Sequence, residues 1–187
     1  MIFTINHLNS AACVDEMLTA GPNVLSPSSD DIPVGNVPDV LTPTGATTTT
    51  DNPTPSVDLT LNPNEPPRVT TVKATVTNAK TVEVTLEQPN GEKITKVIIH
   101  LKRSAIECNP SPFKGINLYS ILAIVFFFQT PVLSPDGTVE VNFKGETGTK
   151  ITIKITKSDT SSPSTVSGVQ VKACTEGMFV GLFLSFR

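Results

Sequence analysis

Apolar and polar residues alternate with a period of two over much of the second half of the chain, the pattern of strands that bury one face. Val82, Val84 and Leu86 stand on one side of such a run, with Thr81, Glu83 and Thr85 on the other. Gln88–Gly91 follows as a turn, because proline presets a corner and glycine tolerates positive φ. Ile94–Leu101 then returns as the hairpin partner, and its more continuous apolar run predicts a central place in its sheet. Ahead of this pair, Val69, Val72, Ala74 and Val76 predict a strand with a slip of register near Thr70.

The same logic recurs later. Val139, Val141 and Phe143 alternate, Lys144–Gly148 turns, and Ile151, Ile153 and Ile155 alternate with Thr152, Lys154 and Thr156, which predicts a second hairpin. Ser158–Ser164 is a polar loop, and Val166, Val169 and Val171 lead to Cys174 as a last strand. Six strands at short spacing with no helical period predict an all-β fold, an antiparallel β-sandwich of jelly-roll or immunoglobulin-like type.

The first part of the chain reads differently. Gly21–Pro67 is dominated by Pro, Thr, Ser, Asn and Asp, and Leu41–Pro55 is almost wholly Thr, Pro and Gly. So few apolar side chains cannot offset the entropy of ordering the backbone. The expectation is a long disordered N-terminal segment: residues 1–20 as the start of a module or disordered, and 21–67 as a linker. Such a linker serves either as an O-glycosylated stalk or as an unmodified connector. The sandwich is then expected over 68–176, with residues 177–187 as a tail, the start of a truncated repeat.

One segment departs from the alternation. Ile116–Phe128 holds the most hydrophobic run of the chain, and the anomalous insert is taken as 116–129. A membrane span needs about 20 apolar residues, whereas this run is shorter and contains Asn117 and Ser120. It reads as a buried core element, as a segment that inserts partly into a membrane, or as translated intron. The last reading follows from Phe126–Gln129, which a pyrimidine tract and a closing CAG would encode, and extends to the tail Phe179–Arg187. A mature transcript encoding both segments would exclude it.

Composition narrows the classes. Charged residues are 17% of the chain, Trp is absent, and the formal net charge is −3, so no basic footprint for nucleic acid or an anionic membrane is present. Cys13, Cys108 and Cys174 are odd in number and form no C-x-x-C pair, which argues against zinc and redox sites. Met1–Met17 contains no apolar run of signal-peptide type, so a secreted location requires this chain to be a fragment.

Ala12-Cys-Val-Asp-Glu-Met17 is echoed by Ala173-Cys-Thr-Glu-Gly-Met178, as if one repeat were complete and the next had opened. With the stalk Thr42–Pro55 and the closing stretch Val139–Cys174, the chain resembles the repeated β-modules of invertebrate mucin-like and extracellular matrix proteins. The closing stretch is also similar to the end of discoidin-like, galactose-binding jelly rolls, from which it departs in lacking Trp. Cysteines at module borders staple a unit or link neighbours, and Cys13–Cys174 is the candidate disulfide.

Catalytic chemistry finds no carriers. The histidines are His7, near the start, and His100, in a strand, and there is no phosphate loop or nucleophile elbow. Asp15, Glu16, Asp30 and Asp31 are the acids that calcium would use, but solvated acids are the plainer reading, and neither metal nor cofactor is assigned. The expected function is a non-enzymatic structural or adhesive module of an extracellular mucin-like protein, with protein or glycan surfaces as partners and no nucleic acid. The alternatives are a carbohydrate-binding module, for which Phe113 and Tyr119 are the aromatic candidates beside Phe3 and the inward Phe143, and a small membrane-associated protein acting through 116–128.

Overall fold

The computed structural model describes residues 14–21, 24–99 and 134–175. Ten strands form among them: β1 (Val14–Met17), β2 (Leu25–Ser28), β3 (Ala46–Thr47), β4 (Ser56–Leu61), β5 (Arg68–Val76), β6 (Ala79–Glu87), β7 (Lys93–Ile99), β8 (Thr138–Thr147), β9 (Lys150–Lys157) and β10 (Thr165–Thr175). A 3-10 helix, Val34–Leu41, lies between β2 and β3. One sheet runs β1-β10-β5-β8, with β3 also on β10, and the other runs β2-β4-β9-β6-β7. All pairings are antiparallel, so the expected all-β sandwich is the fold.

The alternation explains the core. Val69, Val72, Ala74 and Val76 of β5, Val139, Val141 and Phe143 of β8, and Val166, Val169, Val171 and Ala173 of β10 are buried in the first sheet. Val57, Leu59 and Leu61 of β4, Val82, Val84 and Leu86 of β6, and Ile151, Ile153 and Ile155 of β9 are buried in the second. The slip near Thr70 is real: the β5–β8 register shifts between Val69 and Thr71, which lets both Val69 and Val72 face inward.

Three sequence expectations are corrected. The second predicted hairpin does not form, because β8 pairs with β5 in one sheet and β9 with β4 and β6 in the other. Lys144 and Gly145, both at positive φ, bulge β8 without ending it, since Glu146 and Thr147 still pair with Val69 and Arg68 and the Arg68 Nε donates to the Gly145 carbonyl at 3.1 Å. The chain passes to the other sheet across Gly148 and Thr149. Ile94–Leu101 is not central: β7 closes the strand order among the described residues, with Ile98 buried but Val97 and Ile99 exposed.

The third correction concerns the linker over 21–67, which is folded into the sandwich. Its scattered apolar residues Leu25, Ile32, Val37, Val40, Ala46, Val57, Leu59 and Leu61 are all buried. Its backbone groups, which water would otherwise satisfy, bond to the domain: Thr48 N to the Ser164 carbonyl at 2.8 Å, Ile155 N to the Pro55 carbonyl at 2.9 Å, and Lys157 N to the Pro53 carbonyl at 3.1 Å. Lys157, only 4% exposed, donates its ammonium to the carbonyls of Thr49 at 2.9 Å and Thr50 at 3.1 Å. Buried charge requires such partners. Average composition missed this because short strands and turns need few apolar residues when each is placed on the core face.

The described parts of the two Ala-Cys echoes are neighbouring strands of one sheet: Val14 pairs with Thr175, Asp15 with Cys174 and Glu16 with Ala173. Residues 1–13, the insert 116–129 and the tail 177–187 lie outside the described residues, as do Cys13, Cys108, His7, His100, Phe3, Phe113 and Tyr119. Among the described residues no helix is long and apolar enough to cross a membrane.

Candidate functional site

The outward half of the alternation in β5, β8 and β10 builds a polar face. Register sets it in two rows. Met17 of β1 stands opposite Lys172 of β10, which stands opposite Thr71 of β5. One step along, Gln170 of β10 faces Lys73 of β5, and Lys73 faces Glu140 of β8. These six residues line a cleft of about 190 Å³. It is smaller than the roughly 300–1,000 Å³ of pockets that enclose drug-sized ligands, and it is open to solvent.

The bulge in β10 places Gln170 in this face. Between Ser167 and Gln170 the β10–β5 register shifts around Gly168, at positive φ. Val166 and Val169 therefore both point inward, and Gln170 and Lys172 fall on the outer side. Bulges bend a strand and re-aim its side chains in this way.

The chemistry of the cleft lies in its unused capacity. No side-chain hydrogen bond or ion pair joins Lys73, Glu140, Gln170 or Lys172 to another described residue; the two ion pairs among the described residues are Lys93–Glu87 and Lys150–Asp58. Lysine offers three donors, glutamine both donors and an acceptor, and glutamate acceptors. Met17, 45% exposed, adds a polarizable apolar surface.

Other polar clusters are committed internally. Asp31, one of the four calcium candidates, accepts from Asn52 Nδ2 at 2.7 Å and from Ser56 N at 2.8 Å. Asp30 is exposed beside it, while Asp15 and Glu16 sit exposed on β1. No three potential metal ligands come together among the described residues. Cys174 is buried on β10; Cys13, its candidate partner, is not described. Phe143 is buried as expected and offers no platform to a ligand.

Asp159 organises the β9–β10 loop. Its carboxylate accepts from Ser161 Oγ and Ser162 Oγ, both at 2.7 Å, and from Ser161 N at 3.0 Å. These bonds, the Ser161 hydroxyl first, hold its pKa down from 3.8 to about 2. A carboxyl depressed on folding contributes stability above its unfolded pKa, and this is lost as pH falls through the folded value. Asp159→Asn is expected to lower the unfolding temperature at neutral pH, with the gap to wild type closing between pH 3.8 and about 2. Thermal melts across that window check it; a gap independent of pH would contradict the assignment.

The six cleft residues do not stand out in the sequence. They are ordinary polar positions of strands plus one methionine, and only register and the β10 bulge bring them together. The outward side of each strand was the available signal.

No protein-family model matches the chain, and no curated protein matches it significantly. Among solved structures it is similar to a fucose-binding module, SpX-3, of Streptococcus pneumoniae, at 9% identity and a TM-score of 0.47, covering 78% of this chain and 91% of that one. It is similar to the lectin domain of lectinolysin complexed with Lewis b antigen, at 10% identity and a TM-score of 0.45, over 81% of this chain and 92% of that one. A third likeness, CpGH89CBM32-6 of Clostridium perfringens, has 9% identity and a TM-score of 0.45 over 87% of this chain and the whole of that one.

Proposed function

We propose that this chain is a non-catalytic carbohydrate-binding module acting outside the cell, and that it binds one sugar unit in the cleft between β1, β10, β5 and β8. The observation that carries this is the cleft itself: Lys73, Glu140, Gln170 and Lys172 converge on it with no side-chain hydrogen bond to another described residue. A sugar ring presents hydroxyls that both donate and accept, beside an apolar C–H face. Glu140 accepts from hydroxyls, Lys73 and Lys172 donate to them, Gln170 does both, and Met17 packs against the ring. The small volume suits one unit of a longer glycan whose remainder stays in solvent.

The structural or adhesive role in a mucin-like protein drew on a stalk over Thr42–Pro55. That stretch is hydrogen-bonded into the domain, so the reading loses its principal support.

A glycan array probed with the intact chain tests the proposal. Reproducible binding that falls about tenfold or more in Gln170→Ala and in Glu140→Ala is expected, each removing a direct hydrogen bond. Binding unaffected by both variants would move the site elsewhere. No binding to any glycan would overturn the function.

A further inference from the structure

The cleft has a charge pattern that selects among sugars, and this inference rests on the carbohydrate-binding reading above. Lys73 and Lys172 occupy diagonal positions on neighbouring strands, since Gln170 faces Lys73 and Lys172 faces Thr71. Diagonal neighbours start about 7–8 Å apart, and each ammonium rides on a flexible four-carbon stem. Both can therefore reach one anionic group held between them.

Among the described residues neither lysine has an ion-pair partner. Lys73 faces Glu140 across β5 and β8, the pairing that would normally close an ion pair on a sheet surface, yet no ion pair forms there. Asp136 also feels the Lys73 charge, but its carboxylate is held chiefly by hydrogen bonds from Thr138. The row of Lys172 contains Met17 and Thr71 and no acid. Two unpaired cations thus share one small cleft on a chain whose net charge is −3. By contrast, Lys150 on the opposite sheet meets Asp58 at 2.7 Å, which shows the same side-chain type paired where no ligand is proposed.

We infer that the cleft binds an acidic saccharide, with the carboxylate or sulfate of one sugar unit between Lys73 and Lys172 and that unit's hydroxyls on Gln170 and Glu140. Glu140 at the β8 side keeps the anion toward β10 and orients the ring. The attraction is electrostatic and solvent-exposed, so affinity falls with added salt.

The test uses the intact chain and four probes: oligogalacturonate and its carboxyl-reduced counterpart, and heparin oligosaccharide and its desulfated, N-acetylated and carboxyl-reduced counterpart. Titration calorimetry is expected to show binding to one or both acidic probes and binding about 10- to 100-fold weaker to the matching neutral one, the range for a hydrogen bond to a charged group. The acidic probe preferred identifies the anion. Lys73→Gln and Lys172→Gln should each weaken acidic-probe binding about tenfold or more, while Glu140→Gln should strengthen it by removing a like charge. Lys154→Gln, on the exposed outer face of β9, should leave it unchanged.

Equal binding of acidic and neutral probes would overturn this inference and leave the carbohydrate-binding reading standing. An equal loss in Lys154→Gln would overturn it as well, because the attraction would then be general surface charge. Absence of binding to all four probes, together with an empty glycan array, would overturn both.

Discussion

Phe143→Ala is expected to destabilise the domain by about 3–5 kcal/mol, the usual cost of removing a buried phenylalanine. Phe143 is the one aromatic side chain among the buried residues described, and it is 2% exposed on the inner face of β8. The remaining core is built of Val, Ile, Leu and Ala. β-branched side chains have few rotamers, so the walls around the vacated ring cannot easily move in, and the cost falls toward the upper end for a site that collapses poorly. Against a net stability of about 5–15 kcal/mol for a typical domain, this is a large fraction. The unfolding midpoint should drop by about 6–20 °C at the roughly 2–4 °C per kcal/mol of a chain this size. Val97→Ala provides the contrast: Val97 is 38% exposed on β7, and its loss should stay within about 0.5 kcal/mol. Denaturant melts of both variants check the pair, and a loss below about 1 kcal/mol for Phe143→Ala would mean that the inner face of β8 is not packed as described.

The strands and the division into inward and outward faces were legible because alternation is a local signal. Val82-Glu83-Val84-Thr85-Leu86 reads the same in sequence and in structure: the valines and leucine are buried, and Glu83 and Thr85 face outward. Partner choice was not legible. Val139–Phe143 and Ile151–Ile155 are adjacent in sequence and both alternate, so a hairpin was the economical inference. The positive φ at Lys144 and Gly145 only bulges β8; the crossing at Gly148 and Thr149 depends on what β5 and β4 already offer as partners.

The candidate site was illegible for a related reason. Alternation identifies Lys73, Glu140, Gln170 and Lys172 as outward, but many residues are outward. Their convergence depends on a register between strands nearly a hundred positions apart, and on a bulge at Ser167–Gln170 that a count of alternating positions reads merely as irregular spacing. Aromatics, histidines and clustered acids are the residues that mark chemistry in a sequence, whereas the cleft uses lysine, glutamine and a lone glutamate.

The Thr/Pro stretch shows where composition misleads, and Gly45→Ala tests the correction by its sign. Gly45 has φ +76, and an added Cβ would lie 2.5 Å from the Ser167 Cβ and 2.7 Å from the Val166 carbonyl oxygen. It sits where the turn after the 3-10 helix meets β10: Gly168 N donates to the Thr42 carbonyl at 2.7 Å, and β3 then pairs Ala46 with Val166 and Thr47 with Thr165. In a solvated linker the substitution would be neutral, or would stabilise by about 0.4–1 kcal/mol through lost freedom of the unfolded chain. In the folded arrangement the left-handed backbone costs about 1–2 kcal/mol for a residue with a Cβ, and the backbone contact adds about 1–3 kcal/mol of overpacking. Because the neighbouring atoms are the β10 backbone and a Cβ, they cannot rotate away as the end of a long side chain would. The expected outcome is a net loss of about 2–5 kcal/mol in chemical denaturation, the sum of those two contributions. A neutral or stabilising result would return residues 42–55 to the linker that their composition suggests.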